Sequence, residues 1–278
     1  MILFKNLVLL MKPIVEKFPQ IAFIFRNTRD SLQTLESPKM TPWGFKMAGN
    51  KSMINGTFEP VETETVRNAL KDVDVFVNIG ANIGYYCLHA LSMGKHVIAF
   101  EPINRNATLL YKNVKVNGWS DDIEIFPIAL SNKTGILEIY GGDTGASVVK
   151  GWAGIPENYV NLVPVSTLDI VLGDRLKGKK VFILVDVEGA ELSMLHGAQK
   201  LLKNIPDPVW MVEITFKENQ PEILNVNPDF KETFNLFFIN GYKSVSANSE
   251  GVEIKKKDIE NYVNGKSVPP YYNYIFKK

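Results

Sequence analysis

Cysteine is almost absent from this sequence. Cys87 is the single cysteine among 278 residues, so no internal disulfide can form, and a reducing, cytoplasmic compartment is the simplest expectation. Its place inside a predicted helix reads as a small buried apolar residue rather than a nucleophile. Histidine is nearly as scarce: His89 and His196 fall in predicted helices, His96 opens a predicted strand, and none is paired at the i, i+4 spacing of a zinc site. A strong charge is missing too. The formal net charge of +1 disfavours a nucleic-acid partner held by a basic surface. Residues 1–40 and 251–278 each hold six Lys or Arg against three Asp or Glu, so the middle of the chain carries the acidic excess. No repeat, low-complexity tract or Pro/Ser-rich linker divides the sequence, and 45% hydrophobic content is ample for one large α/β core.

Long apolar runs are lacking as well. Lys5, Lys12, Glu16 and Lys17 interrupt every window near the roughly 18 residues that a membrane span requires, and no small-residue cleavage site marks a secretory signal. What the first forty residues do have is helical spacing, with Leu3, Leu7, Leu10, Ile14, Phe18, Ile21 and Phe25 near one face and Pro13 as a kink. That face either packs onto the core or a second subunit, or makes a peripheral membrane contact through residues 1–35; the oligomeric state is not legible. Strand-like pieces at Gly44–Ala48 and Ser52–Ile54 suggest a hairpin, giving an N-terminal segment over 1–55 and a main domain over 56–278. Within the latter, a helix from Pro60 to Leu70 precedes an alternation of helices with strands near 73–79, 96–100, 122–128, 180–186 and 208–214. Such alternation predicts an α/β fold with a mostly parallel sheet covered on both faces.

The run VNIGANIG, Val77 to Gly84, joins the first of these strands to a helix from Tyr85 to Leu91. Strand, glycine turn and helix form a nucleotide-cofactor signature, because Gly80 and Gly84 allow close backbone approach and the new helix presents free N–H groups. A dinucleotide fingerprint needs glycine where Asn82 stands, and a P-loop needs Gly-Lys-Ser or Gly-Lys-Thr, which does not follow Gly84. Glu101, closing the next strand, is placed to accept hydrogen bonds from both hydroxyls of a ribose. A ribose without a pyrophosphate points to S-adenosyl-L-methionine (SAM).

VNIGANIGYY, IAFEP from Ile98, LYKNVKVNG from Leu110, VPVSTLD from Val163, VDVEGAEL from Val185 and VWMVEI from Val209 occur in that order. Together they resemble the FkbM family of SAM-dependent methyltransferases, over roughly Gly56 to Thr215. The resemblance implies a class I, Rossmann-like methyltransferase fold with a seven-stranded sheet and an antiparallel edge from Tyr242–Ala247 and Tyr271–Phe276, after a helix at Phe230–Asn240. It also implies O-methylation of a hydroxyl, often on a sugar or natural product. Asn78 stands where the family commonly has Asp, and Leu184 where it commonly has Lys. The expected cofactor contacts are Asn78, Gly80, Ala81, Asn82 and Gly84 on the turn, Glu101 and Pro102 after the second strand, and Ala129.

A second centre is VDVEGAE. Side chains two apart in a strand share a face, so Asp186 and Glu188 point the same way as Leu184 at the sheet's carboxyl end, and the absence of a cation there favours a more basic carboxylate. Asp186, Glu188 or Glu213 is then the base that takes the acceptor's proton. Glu191 fits a helix-dipole role in the helix Ala190–Leu202. The same carboxylates would alternatively suit Mg²⁺. An insert over Thr134–Val165, with β-like pieces Ile136–Tyr140 and Ser147–Val149, is expected to cap the acceptor side, with Tyr85, Ser147, Trp152 and Tyr159 touching acceptor; Trp152 and Tyr159 would otherwise pack the insert onto the body. The rival from another class is a protein that binds the cofactor without transferring methyl, or a scaffold of a biosynthetic complex.

Overall fold

The computed structural model describes residues 34–142 and 145–278. The expected N-terminal helix, with the membrane or subunit contact assigned to it, lies essentially outside them. The described chain opens with β1 (Lys39–Met40) and β2 (Lys46–Met47), an antiparallel pair. Helix α1 (Lys51–Asn55) follows in place of the second expected hairpin strand. Its cause is capping: the Asn50 side chain accepts from Ser52 N–H, and Gly56 closes the helix at φ 71°.

Helix α2 (Pro60–Leu70) starts with its proline in the first turn, as expected. Next come β3 (Val75–Ile79), α3 (Tyr85–Ser92), β4 (His96–Phe100), α4 (Asn104–Val116) and β5 (Ile123–Phe126). β6 (Ala129–Leu130) comes just before the insert, which supplies β7 (Gly135–Tyr140) and nearly all of β8 (Val160–Ser166). After α5 (Leu168–Leu172) and β9 (Val181–Val185), the expected single helix over 190–202 is two, α6 (Glu191–His196) and α7 (Gln199–Asn204). The break sits at Gly197, whose carbonyl is taken by Asp169 N–H at 3.0 Å, and a Cβ there would lie 2.1 Å from the Ser131 carbonyl oxygen. Asp169 then receives the first N–H groups of α7, from Lys200 and Leu201, on its carboxylate. The chain closes with β10 (Val209–Glu213), α8 (Phe230–Ile239), β11 (Lys243–Ser246), β12 (Glu253–Ile254), α9 (Lys256–Val263) and β13 (Asn273–Lys277).

The main sheet has the order β12-β11-β13-β10-β9-β3-β4-β5. From β5 through β10 all pairs are parallel, whereas β13 joins β10, β11 joins β13 and β12 joins β11 antiparallel. The sheet thus has eight strands rather than seven; the extra one, β12, is a two-residue edge too short to show alternation. Side chains alternate between two cores. Val75, Val77, Ile79, Ile183, Val185 and Val212 face one layer, and Phe76, Val97, Phe182, Leu184 and Met211 face the other. Both faces are therefore apolar, as a covered parallel sheet requires. Strand order reverses at β3, which has β4 on one side and β9 on the other, and ligands bind α/β sheets at the carboxyl edge of such a switch point.

With β6, the insert folds onto that edge as a separate sheet of order β6-β8-β7. Of the expected piece Ser147–Val149 only a single bridge, Tyr140 to Ser147, forms. Below the edge, Asn113 of α4 and Asn117 at its C-cap fasten the β2 segment and the glycine turn. Ala48 N–H donates to Asn113 Oδ1 at 2.8 Å, Asn113 Nδ2 donates to the Ile83 carbonyl at 3.0 Å, and Lys46 N–H donates to Asn117 Oδ1 at 2.8 Å.

Candidate active site

The glycine turn is shaped by two contacts that exclude any side chain. A Cβ on Gly80, at φ 86°, would lie 1.7 Å from the carbonyl oxygen of Asp186, so the turn after β3 rests on the backbone leaving β9. A Cβ on Gly84, at φ 90°, would lie 2.3 Å from Leu110 Cδ1, where α4 crosses the start of α3. Gly80 and Ala81 donate their N–H groups to the Phe100 carbonyl, which anchors the turn to the end of β4.

Immediately after β4, Glu101 is buried and well provided with donors. Its Oε2 accepts from Asn82 N–H at 2.8 Å, its Oε1 from Ile103 N–H at 2.9 Å and from Asn106 Nδ2 at 3.4 Å. Burial pushes its pKa up to about 7, against the pull of these donors toward the ionised form.

A cleft of ≈ 660 Å³, its open mouth included, runs along this edge. One end is lined by Gly80, Asn82, Glu101 and Asn106, the flank by the apolar Ile103, Ile128, Ala129 and Leu130, and the other end by Asp186 and Glu188. The polar end fits the expected cofactor: Glu101 is beside the turn, and two buried acceptors, Asn82 Oδ1 and Asn106 Oδ1, have no hydrogen-bond partner. Of the expected cofactor contacts, Gly80, Asn82, Glu101, Pro102 and Ala129 line the cleft. Ala81 packs into the core and Gly84 against Leu110.

Asn78 does not reach the cleft. It is buried behind β3, donating from Nδ2 to Cys87 Sγ at 3.4 Å, and Cys87 itself is a free, buried thiol whose pKa burial raises to about 12. The register of β3 and β9 places Asn78 directly opposite Leu184. The two departures from the family's usual acid and lysine are therefore one cross-strand pair, both members neutral. Leu184 packs with Phe76 and Phe182, so it does not tune the carboxylates as expected from the sequence.

The strand alternation assumed for Asp186 and Glu188 also fails, because β9 ends at Val185. Asp186 N–H still donates to the Ile79 carbonyl at 2.9 Å, but the chain then turns, with Glu188 at φ 52°. The insert holds that turn. Trp152 Nε1 donates to Glu188 Oε2 at 2.7 Å, Ser147 Oγ donates to the Glu188 carbonyl at 2.5 Å, and a Cβ on Gly189 would strike the Trp152 ring at 2.7 Å. Trp152, only 2% exposed, thus offers no open face to an acceptor. Tyr85 is likewise buried, its ring edge-on to those of Phe58, Tyr86 and His89, and the Tyr159 hydroxyl lies over Gly142.

Burial raises the proton affinity of Asp186, and the charges acting on it raise it further: Glu188 first, then Glu59, Glu191 and Glu101. Glu213, at the end of β10, is raised by burial and then by Asp186 and Glu188. Glu188 is raised by burial, with the Trp152 N–H pulling the other way. Glu191 is held at about 7 by burial, offset by hydrogen bonds that include Gly189 N–H at 2.9 Å. Among the described residues no group of three or more His, Cys, Asp or Glu is arranged to hold a metal ion.

Several neighbours escape a reading of the sequence. Glu59 accepts from Tyr86 Oη at 2.7 Å, and Glu62 accepts from Tyr271 and Tyr272, whose rings stack at 4.6 Å. They come from three distant segments, and no spacing announces them. Asn106 is different: with Asn113 it forms a buried polar pair at i and i+7 on the inner face of α4, continued by Asn117 at the C-cap, a legible signal.

A family model described as the methyltransferase FkbM domain matches residues 78–244. None of the curated proteins matches the sequence with significance. Among solved structures, a methyltransferase FkbM from Methylobacillus flagellatus KT is 17% identical with a TM-score of 0.45, over 92% of this chain and 60% of that one. This chain therefore spans less than two thirds of that protein. An O-methyltransferase from Bacillus cereus, solved in complex with SAH, is 11% identical with a TM-score of 0.43, over 90% and 86% of the two chains. A precorrin-6y C5,15-methyltransferase from Geobacter metallireducens GS-15 is 12% identical with a TM-score of 0.43, over 84% and 95%.

Proposed function

The chain belongs to the FkbM methyltransferase family, and on that premise we propose that it transfers a methyl group from SAM to a hydroxyl oxygen of a sugar, glycan or natural product. The observation that carries this reading is the single cleft lined at one end by Glu101 and the glycine turn, and at the other by Asp186. SAM, when bound, supplies an electrophilic sulfonium methyl. The turn and Glu101 hold its polar part, and Ile103, Ile128 and Leu130 offer a wall for a flat ring.

An alcohol is a weak nucleophile until a base removes its proton. Asp186 is the best-placed base. It lines the cleft, and burial beside other carboxylates raises its proton affinity. Glu188 also lines the cleft, but its carboxylate is engaged by the Trp152 N–H, and Glu213 stands outside the lining, its own proton affinity raised by burial and by the charge of Asp186. The insert's part is positional: Trp152 and Ser147 fix the turn that carries Asp186 and Glu188. The rival reading, binding without transfer, draws on Asn78 and Leu184, and both lie behind the strands rather than in the cleft.

The test is mass spectrometry of a cell extract, and of a panel of glycans and hydroxylated metabolites, incubated with methyl-labelled SAM and enzyme. Asp186→Asn should lower methylation by ~10²-fold or more while leaving affinity for S-adenosylhomocysteine (SAH) near that of the wild type, with Glu188→Gln and Glu213→Gln less affected. Equal turnover of all three amides would sink the assignment of the base.

A further inference from the structure

An ionised carboxylate has about four acceptor positions, two on each oxygen. On Glu101 three are filled from within the protein. Ile103 N–H and Asn106 Nδ2 both donate to Oε1, and Asn82 N–H donates to Oε2. One position, on Oε2, is left for a ligand. A ribose presents two neighbouring hydroxyls, so a second acceptor is needed beside the acid.

Asn106 provides one. It is 2% exposed and lines the cleft, and its Oδ1 has no hydrogen-bond partner. Its orientation is fixed by chemistry, since a flipped amide would set oxygen against the Glu101 carboxylate at 3.4 Å. A buried acceptor without a donor is costly, and such groups are rare unless a ligand or water completes them. Asn82 Oδ1 is also unpartnered, but Asn82 meets Glu101 through its backbone N–H and no hydrogen bond ties its side chain to the acid.

We propose that Asn106 Oδ1 accepts one ribose hydroxyl of the bound cofactor and Glu101 the other, so that the diol is divided between an amide and an acid. This rests on the reading that the cleft takes SAM. Asn106 is then a binding residue whose amide does two jobs, donating to Glu101 and accepting from the ligand.

Calorimetry at pH 8 with SAH, 2′-deoxy-SAH and 3′-deoxy-SAH tests it. The wild type should bind each deoxy analogue about 10-fold more weakly than SAH. In Asn106→Leu, one of the two analogues should bind as well as SAH does, because the missing hydroxyl no longer has a partner, while discrimination against the other persists. Should the leucine fail to fold, as judged by thermal melting, Asn106→Ala serves instead, alanine being well suited to a helix interior. A variant that discriminates against both analogues as the wild type does would overturn the division and leave Asn82 as the second acceptor. A wild type that binds none of the three ligands would instead remove the SAM reading itself, and the inference with it.

Discussion

The two ends of the cleft hold carboxylates in opposite circumstances. Glu101 is surrounded by N–H donors, two from backbone and one from Asn106, and its geometry is set by the turn it supports. Asp186 and Glu213 are instead raised by burial and by neighbouring carboxylates, Glu188 among them for both, while Glu188 is raised by burial with the Trp152 indole N–H pulling it down. A carboxylate held by donors is a good static acceptor of ligand hydroxyls. Carboxylates crowded together readily take a proton, the property a general base needs. On the proposed reading, one cleft separates holding from proton transfer by the donors it places beside each carboxylate.

The largest effect is expected at Gly80, whose backbone rests against that of Asp186. Gly80→Ala sets a Cβ 1.7 Å from the Asp186 carbonyl oxygen at a φ of 86°, so backbone must move. A loss on the order of 3 kcal/mol in denaturant unfolding is expected, together with loss of SAH binding in whatever remains folded. A variant with wild-type stability and affinity would show that the turn does not rest on β9.

A loss of stability without a direct contact to the cleft is expected within the sheet. Asn78→Asp places a carboxylate in a buried site facing Leu184, without a cation, and should cost about 3 kcal/mol. Adding Leu184→Lys restores the family's usual pair and should recover part of the loss in a double-mutant cycle. If the two changes were simply additive, the pairing would carry no energetic meaning.

The smallest effect sharpens the contrast through pH. Glu101 has its folded pKa raised from 4.5 to about 7, so the stability it confers on the free protein is present below pH 4.5 and is lost as pH rises through 7. Binding runs the other way, because ribose hydroxyls need the ionised acid. SAH affinity followed by calorimetry should be flat above pH 7 and fall by up to about tenfold per unit below it. A flat profile from pH 5.5 to 8 would mean that Glu101 does not receive the ligand.

Much of the scaffold was legible because it depends on local pattern. The parallel strands, the helix that begins at Pro60 and the turn with Glu101 one strand on all follow from apolar runs and glycine placement. The misses have local causes as well. Asn50 capped what looked like a strand, Gly197 divided a helix by giving its carbonyl to Asp169, and the end of β9 at Val185 removed the alternation on which a shared face for Asp186 and Glu188 depended.

The sequence by itself determined the fold class, the family and the acids at both ends, because each is written in neighbouring residues. Only the tertiary structure decided their surroundings. It showed that Trp152 anchors Glu188 instead of facing the acceptor, that Asn78 and Leu184 are a single pair, and that Asn106 stands in the cleft with an acceptor to spare. Hydrogen-bond satisfaction and burial arise between segments far apart in the chain, and no spacing within one segment encodes them.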